Sequence, residues 1–410
     1  MNKKKLLIVI LLSSLLIPIN SYAQKEVKPI LIARIDLYSG PAAFISAEGK
    51  NQIEMMAEEI NKAGGLLGRP LKFLYRDVKN PEEAVRAARD MVTMEKVDCI
   101  MAAYSSAIVM ALTDFAKQNK VLFIAHAGKS SRLTEELWHP YVFRTDNNTV
   151  MIGRTAAQFW VDKKLPYKKM ITLGSDYEYG HKAIEEFVER LAKLSPDVKV
   201  VDQLWPPFAN KEYAPFVTKI IGAKPDGLYT EIWGSDWINF VKAANSLNLW
   251  KQVPVVANHC YMPDFIAPLG KDAPEGIWAS SDPLWYFPDR PQDRAFIKKF
   301  EDRYGHKPGS GAYIEGIAVT FLVEAIKKAG SADTEKVIKA MEGLELDIPG
   351  QGRVIMRAYD HQASTGMVWG KTAWSEEMKN SRLIDPVFYP GDRFWHTTDE
   401  IKAIREKAGK

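Results

Sequence analysis

The side chains able to do covalent chemistry are few and scattered. Seven histidines occur, at positions 126, 139, 181, 259, 306, 361 and 396, and none pairs with another at a metal-ligand spacing, so no metal site is expected. There is no Gly-x-Ser-x-Gly elbow, no Gly-x4-Gly-Lys-Ser/Thr phosphate loop, no His-Glu-x-x-His and no Cys-x-x-Cys. Gly309-Ser-Gly311-Ala-Tyr-Ile-Glu-Gly316 has the wrong glycine spacing for a dinucleotide loop and no strand before it; it reads as a helix start. Cys99 lies in a strand-like run and Cys260 in a distant loop, so both are expected as unpaired thiols. Neither catalysis nor a cofactor is expected.

Other residues suit the holding of a ligand. Lys129 closes Ala125-His-Ala-Gly-Lys129, just after an apolar run of strand length. An ammonium buried there needs an anionic partner, because an unpaired buried charge is costly. That partner is an acidic ligand or a carboxylate of the protein, unless the side chain turns out to solvent. Glu231 ends another strand-like run, in Tyr229-Thr-Glu-Ile-Trp233-Gly-Ser-Asp236. It can hold a ligand amine or pair with Lys129; Asp236 is a nearby alternative.

Strand and helix patterns alternate to position these residues. Pro29 to Asp36 is a short apolar run, followed by Ile53, Met56, Ala57 and Ile60 at helical spacing. Glycine at Ala63-Gly64-Gly65 ends that helix, and Asn80-Pro81 opens the next. Strand 98–103, helix 108–118 and strand 121–125 follow. The pattern restarts after Tyr141-Val-Phe-Arg144 with helices near 149–163, 180–194, 211–222 and 234–247 and strands between them. Two rounds of βα repetition predict two α/β lobes with doubly wound parallel sheets, and such sheets bind ligands beyond the carboxyl ends of their strands. The last third is less regular. From about 376 the tail is polar, then mildly helical.

Composition and ends narrow the class. Lys3, Lys4 and Lys5 precede an apolar core from Leu6 to Leu16, and Ser21-Tyr22-Ala23 supplies small residues at a cleavage site. Residues 1–23 therefore read as an export signal cleaved after Ala23. Without those three lysines the chain has 52 basic and 51 acidic residues, which leaves no electrostatic footprint for nucleic acid. The remaining 387 residues suffice for two cores.

From Leu37 to about Asp282 the chain resembles the leucine/isoleucine/valine-binding family of type I periplasmic binding proteins. The resemblance rests on collinear segments. They are Leu37-Tyr-Ser-Gly-Pro-Ala-Ala43, Glu59-Ile-Asn-Lys-Ala-Gly-Gly-Leu-Leu-Gly-Arg69, Ala103-Tyr-Ser-Ser-Ala107, Ser131-Arg-Leu-Thr134, Tyr141-Val-Phe-Arg-Thr145, Asp176-Tyr-Glu-Tyr-Gly180, Lys224-Pro-Asp226 and Pro254-Val-Val256.

The resemblance implies two lobes joined by a three-strand hinge, crossed near 145, 280 and 347. Lobe one would hold 24–145 and 281–346, lobe two 146–280 and 347–375, with 376–410 a C-terminal tail. It implies a periplasmic monomer that closes on a small-molecule ligand and presents it to an inner-membrane ABC permease. A sensor that signals to a partner protein is the alternative of another class.

The implied lobe-one contacts are Ser39, Phe44, Ile45, Tyr104, Ser105, Ser106, Ala127, Gly128 and Lys129. Serines at a strand-to-helix turn also serve as N-caps. In lobe two the implied contacts are Tyr179, Glu231, Trp233 and His259, with Trp278 and Trp285 as further aromatic candidates. The family usually has threonine or serine where Lys129 stands, and an acid where Ala257-Asn-His259-Cys-Tyr261 has none. The ligand is therefore a hydrophobic or branched-chain amino acid, or a small carboxylate such as an aromatic acid, or an amide. These alternatives stay open at the level of sequence.

Overall fold

The computed structural model describes residues 27–409, so the expected export signal lies outside the described residues. The first lobe opens with β1 (Ile30–Asp36), α1 (Ala43–Lys62), β2 (Leu71–Asp77), α2 (Pro81–Thr93), β3 (Cys99–Ala102), α3 (Ser106–Asn119), β4 (Leu122–Ala125) and β5 (Val142–Arg144). Its five strands form one parallel sheet in the order β2-β1-β3-β4-β5.

The chain then builds the second lobe from α4 (Thr149–Asp162), β6 (Lys169–Gly174), α5 (Glu178–Leu194), β7 (Lys199–Leu204) and α6 (Ala214–Ala223). It continues with β8 (Gly227–Glu231), α7 (Ser235–Ser246), β9 (Val255–Ala257), the short α8 (Pro263–Ile266) and β10 (Trp278–Ser281). It returns to lobe one for α9 (Pro291–Tyr304), α10 (Ser310–Ala329), α11 (Thr334–Met341) and a hairpin of β11 (Glu345–Ile348) and β12 (Gly352–Ile355). It ends in lobe two with β13 (Met367–Ser375), β14 (Asn380–Tyr389) and α12 (Thr398–Lys407). The lobe-two sheet runs β14-β13-β10-β9-β8-β6-β7, with β13 antiparallel to both neighbours.

Local chemistry sets many of these boundaries. Asn80, Asn148 and Asp333 accept from backbone N–H groups in the first turns of α2, α4 and α11, as N-caps do. Apolar β1, β3 and β4 residues pack on α10 and α11 in one cluster, and α4, α5 and Trp369 form another in lobe two. Gly49 on α1 lies against α10: a Cβ there would collide with the Glu315 side chain. Cys99 and Cys260 are buried, free and in different lobes. Among the described residues, no helix is long and apolar enough to cross a membrane.

Two expected boundaries are corrected. The third crossing falls not at 347 but after Ala363. The β11–β12 hairpin carries Ile348 and Val354 into the lobe-one cluster with Ile30 and Ile32, and the Ala363 N–H bonds the Arg144 carbonyl at 2.9 Å. Residues from 376 are not a separate tail either. β14 pairs with β13 along nearly its whole length.

The helix α12 also reaches back across the molecule. Arg405 donates to the carbonyls of Thr134 and Glu135 and lies over the rings of Trp138 and Tyr359. His396 pairs with Glu135 at 3.0 Å, and Arg154 of α4 holds Glu400 at 2.7 Å. The 130–139 loop comes from lobe one, so the C-terminal segment braces the back of the hinge. Short polar stretches of this kind carry little hydrophobic periodicity, which is why sequence reading missed them.

Candidate functional site

The carboxyl ends of β3 and β4 face those of β6, β8 and β9 across a cavity. The lobe-one side is lined by Ile45, Tyr104, Ser106, Ala127, Lys129 and Ile314. The lobe-two side is lined by Tyr177, Tyr179, Trp233, His259, Met262 and Phe265. The cavity measures only about 20 Å3, far below the volume of an ordinary ligand pocket. A water-sized sphere has little freedom in it, so the lobes stand close together. Eight expected residues meet here: Ile45, Tyr104, Ser106, Ala127, Lys129, Tyr179, Trp233 and His259.

Five do not line the cavity. Ser39 donates to Asp77 at 2.8 Å on the exposed edge of lobe one. Phe44 is half exposed and lies in an outer groove with Trp285; Trp278 packs instead against Phe159. Ser105 is buried at the start of α3 and makes no capping bond. Gly128 is there for packing, since a Cβ would strike Val109, and its carbonyl accepts from Arg144 at 3.2 Å. Glu231 lies behind the wall rather than in it.

The lysine's partners settle one alternative. Lys129 Nζ donates to Asp146 at 2.5 Å, to Asn147 Oδ1 at 2.8 Å and to Asp282 at 3.2 Å. An ammonium has three N–H donors, so all three are used inside the protein. The expected pairing with Glu231 is not made. Asp146 lies at the first crossing and Asp282 at the second, so Lys129 locks both to lobe one. Burial, then the neighbouring Asp282, pushes the Asp146 carboxyl up to about 7. Burial acts on Asp282 as well, but His259 and Lys129 outweigh it and hold that carboxyl well below its usual range.

His259 stands in a left-handed backbone conformation, φ 56°, which is uncommon outside glycine, although asparagine, aspartate and histidine adopt it more often than other residues. Its N–H donates to Ser280 Oγ at 2.6 Å, and its Nε2 meets Asp282 at 2.9 Å. Burial holds its pKa down, and Nε2, which faces a carboxylate, carries a hydrogen. Nδ1 lies 3.4 Å from Tyr179 Oη. Tyr179 donates to Glu231 at 3.1 Å. Tyr229 and Asn258 also bond Glu231, and burial pushes its carboxyl up to about 8. Tyr177 Oη accepts from Trp233 Nε1 at 2.8 Å. Among the described residues, the buried Tyr104 hydroxyl has no hydrogen-bond partner.

Beneath the lobe-one wall, Asp36, His126 and Glu315 bring ligating atoms within 4.8 Å of one another. All three converge on Arg34 Nη2, which bonds Asp36 at 2.5 Å, His126 at 3.1 Å and Glu315 more closely still. The guanidinium fills the place a cation would take. Asp36 also accepts from the Leu37 and Tyr104 N–H groups at 2.8 and 3.1 Å, so this cluster fixes two cleft loops. Its four members are up to 281 residues apart, and no sequence spacing could reveal them.

Two contacts clasp the lobes around the cavity. Glu178 of α5 accepts from Ser130 at 2.7 Å and Arg132 at 3.3 Å. On the other side, Asp264 of α8 accepts from the Ser310 N–H that opens α10, at 2.7 Å.

Two α/β lobes, three crossings and a nearly closed cleft between facing strand ends define a hinged binding protein. The chain belongs to the family described as periplasmic binding protein, whose profile matches residues 29–373. As a member it is a binding protein and not an enzyme. It is 26% identical to Leu/Ile/Val-binding protein homolog 4 of Brucella abortus (strain 2308) over 84% of each chain. Its fold is similar to a solute-binding protein of an ABC transporter from Rhodopseudomonas palustris BisB5, in complex with 3,4-dihydroxybenzoic acid. The TM-score is 0.80 at 23% identity, covering 88% of this chain and 98% of that one. It is also similar to a leucine-, isoleucine-, valine-, threonine- and alanine-binding protein from Brucella ovis in a closed conformation. There the TM-score is 0.78 at 23% identity, covering 90% and 97%.

Proposed function

We propose that this protein is the periplasmic solute-binding component of an ABC-type uptake system, and that its cargo is a compact amino compound with a branched or aromatic body, of the hydrophobic amino-acid kind. The carrying observation is the state of Lys129. Its ammonium is saturated by Asp146, Asn147 and Asp282, so the argument for a free acid gripped by Lys129 loses its basis. The hydroxyls of Ser106 and Tyr104 offer donors to a carboxylate at the start of α3, where the helix dipole favours an anion. Tyr177, Tyr179, Trp233 and Phe265 offer rings to the body. The names of the curated relatives support the amino-acid reading.

The aromatic-acid reading is supported by the dihydroxybenzoate complex of the R. palustris protein. Thermal melting of residues 24–410 against hydrophobic amino acids, aromatic acids and amides separates the two. A ligand at 100 times its dissociation constant stabilises by about 2.7 kcal/mol. Stabilisation by amino acids supports the proposal; stabilisation by aromatic acids alone rejects it.

A further inference from the structure

Helix α10 begins where the two lobes meet, and two carboxyl groups from opposite lobes share its first amides. Glu48 of α1, in lobe one, accepts from the Gly309 N–H at 3.1 Å. Asp264 of α8, in lobe two, accepts from the next amide, that of Ser310, at 2.7 Å. Only glycine allows this approach at position 309, since a Cβ there would collide with Asp264 Oδ1. That oxygen is buried and has no hydrogen-bond partner among the described residues, and Asp264 as a whole is 8% exposed. Among the described residues no lysine or arginine pairs with either carboxyl. His306 Nε2 stands 3.7 Å from Glu48, and Tyr104 faces Asp264 from the cleft side. Lys307 and Glu377 line the same outer groove, where Lys307 is held by Glu301 at 2.6 Å.

A carboxylate buried with one bare oxygen and a second carboxyl beside it is costly to ionise. The positive end of α10 eases that cost. Burial, then Glu48, outweighs it and pushes the Asp264 carboxyl up to about 7, and burial raises Glu48 as well. We propose that closure of the lobes takes up a proton at Asp264, which makes its meeting with Glu48 on α10 a pH-sensitive latch. Opening returns Asp264 to water, where a carboxyl has its ordinary value of about 4, and parts it from Glu48. The closed form binds the proton more tightly, so acid favours closure. The latch is complete below about pH 4 and is lost as pH rises through about 7. It needs no ligand, so it acts whichever solute the cavity takes.

Small-angle scattering of the ligand-free protein between pH 8 and pH 5 tests this. The ratio of closed to open molecules is expected to rise at least about tenfold on acidification, read as a falling radius of gyration. Asp264→Asn keeps an acceptor for the Ser310 N–H but has no proton to gain, so its radius is expected to stay level at the parent's acid value. Glu48→Gln keeps an acceptor for the Gly309 N–H and removes the neighbouring charge, which is expected to move the transition to lower pH. His306→Gln is expected to leave the transition in place. A parent radius independent of pH overturns the latch. So does a transition that survives in Asp264→Asn or disappears in His306→Gln.

Discussion

At the scale of single residues, Lys129 has changed role from ligand grip to structural lock. Replacing it with methionine leaves Asp146 and Asp282 buried without their shared cation. Removing one partner of a buried ion pair costs about 3–5 kcal/mol. Urea unfolding of Lys129→Met should show a loss of that size at pH 8. The loss should shrink at pH 5, where the stranded carboxyls can protonate. Glu231 behaves in the opposite sense. Its folded pKa is raised to about 8 from 4.5, so the unfolded chain loses its proton first as pH rises. Stability is therefore lost between about pH 4.5 and 8. Glu231→Gln can keep an acceptor for Tyr179 and lacks this loss. It should melt higher than the parent at pH 8, with the gap closing by pH 5.

At the scale of elements, the C-terminal brace makes its own prediction. Burial alone would lower the His396 pKa, but the bond to Glu135 outweighs it and the net shift is upward. The ion pair therefore contributes fully below the unfolded value of about 6.5 and fades as pH rises through the folded one. Melting curves of His396→Gln should fall below the parent at pH 6 and converge with it at high pH. Arg405→Ala removes charged donors from two carbonyls and should cost about 1.5–3 kcal/mol at every pH tested.

These elements also show where sequence reading stops. The βα units were legible because each carries a helical stripe or an apolar strand run, and the cleft loops because they follow those strands. The β11–β12 hairpin and β14 were not. Their burial alternates weakly, as in β14 where Leu383 is buried between exposed or half-exposed neighbours. Within the cavity, Ser106, Tyr179 and His259 sit at strand or helix ends, where position alone suggests exposure to a cleft. Met262, Phe265 and Ile314 look like ordinary core residues. Asp146, Asn147 and Asp282 act at the crossings, and only the folded path brings them to Lys129.

At the scale of the whole molecule, the two clasps set how far the lobes stand apart. Glu178→Ala and Asp264→Ala each remove one tie between lobes without touching the cavity wall. A ligand that binds the closed form must then make up the difference, since apparent affinity falls with the closed fraction. Each variant should bind more weakly, and small-angle scattering should give a larger radius of gyration without ligand and a parental one with it. A variant that stays compact and binds normally would show that its clasp does not hold the lobes.

The three crossings have a further consequence for how the chain comes into being. Lobe one lacks its hairpin until β12 has emerged, and lobe two lacks its edge until β14 has. A nascent chain stopped before residue 352 therefore holds the lobe-one sheet without its hairpin and a lobe-two sheet without β13 and β14, and no complete lobe. Most proteins assemble domain by domain as they are made; here neither lobe can be completed before the other is well under way, and lobe two has to wait for β14.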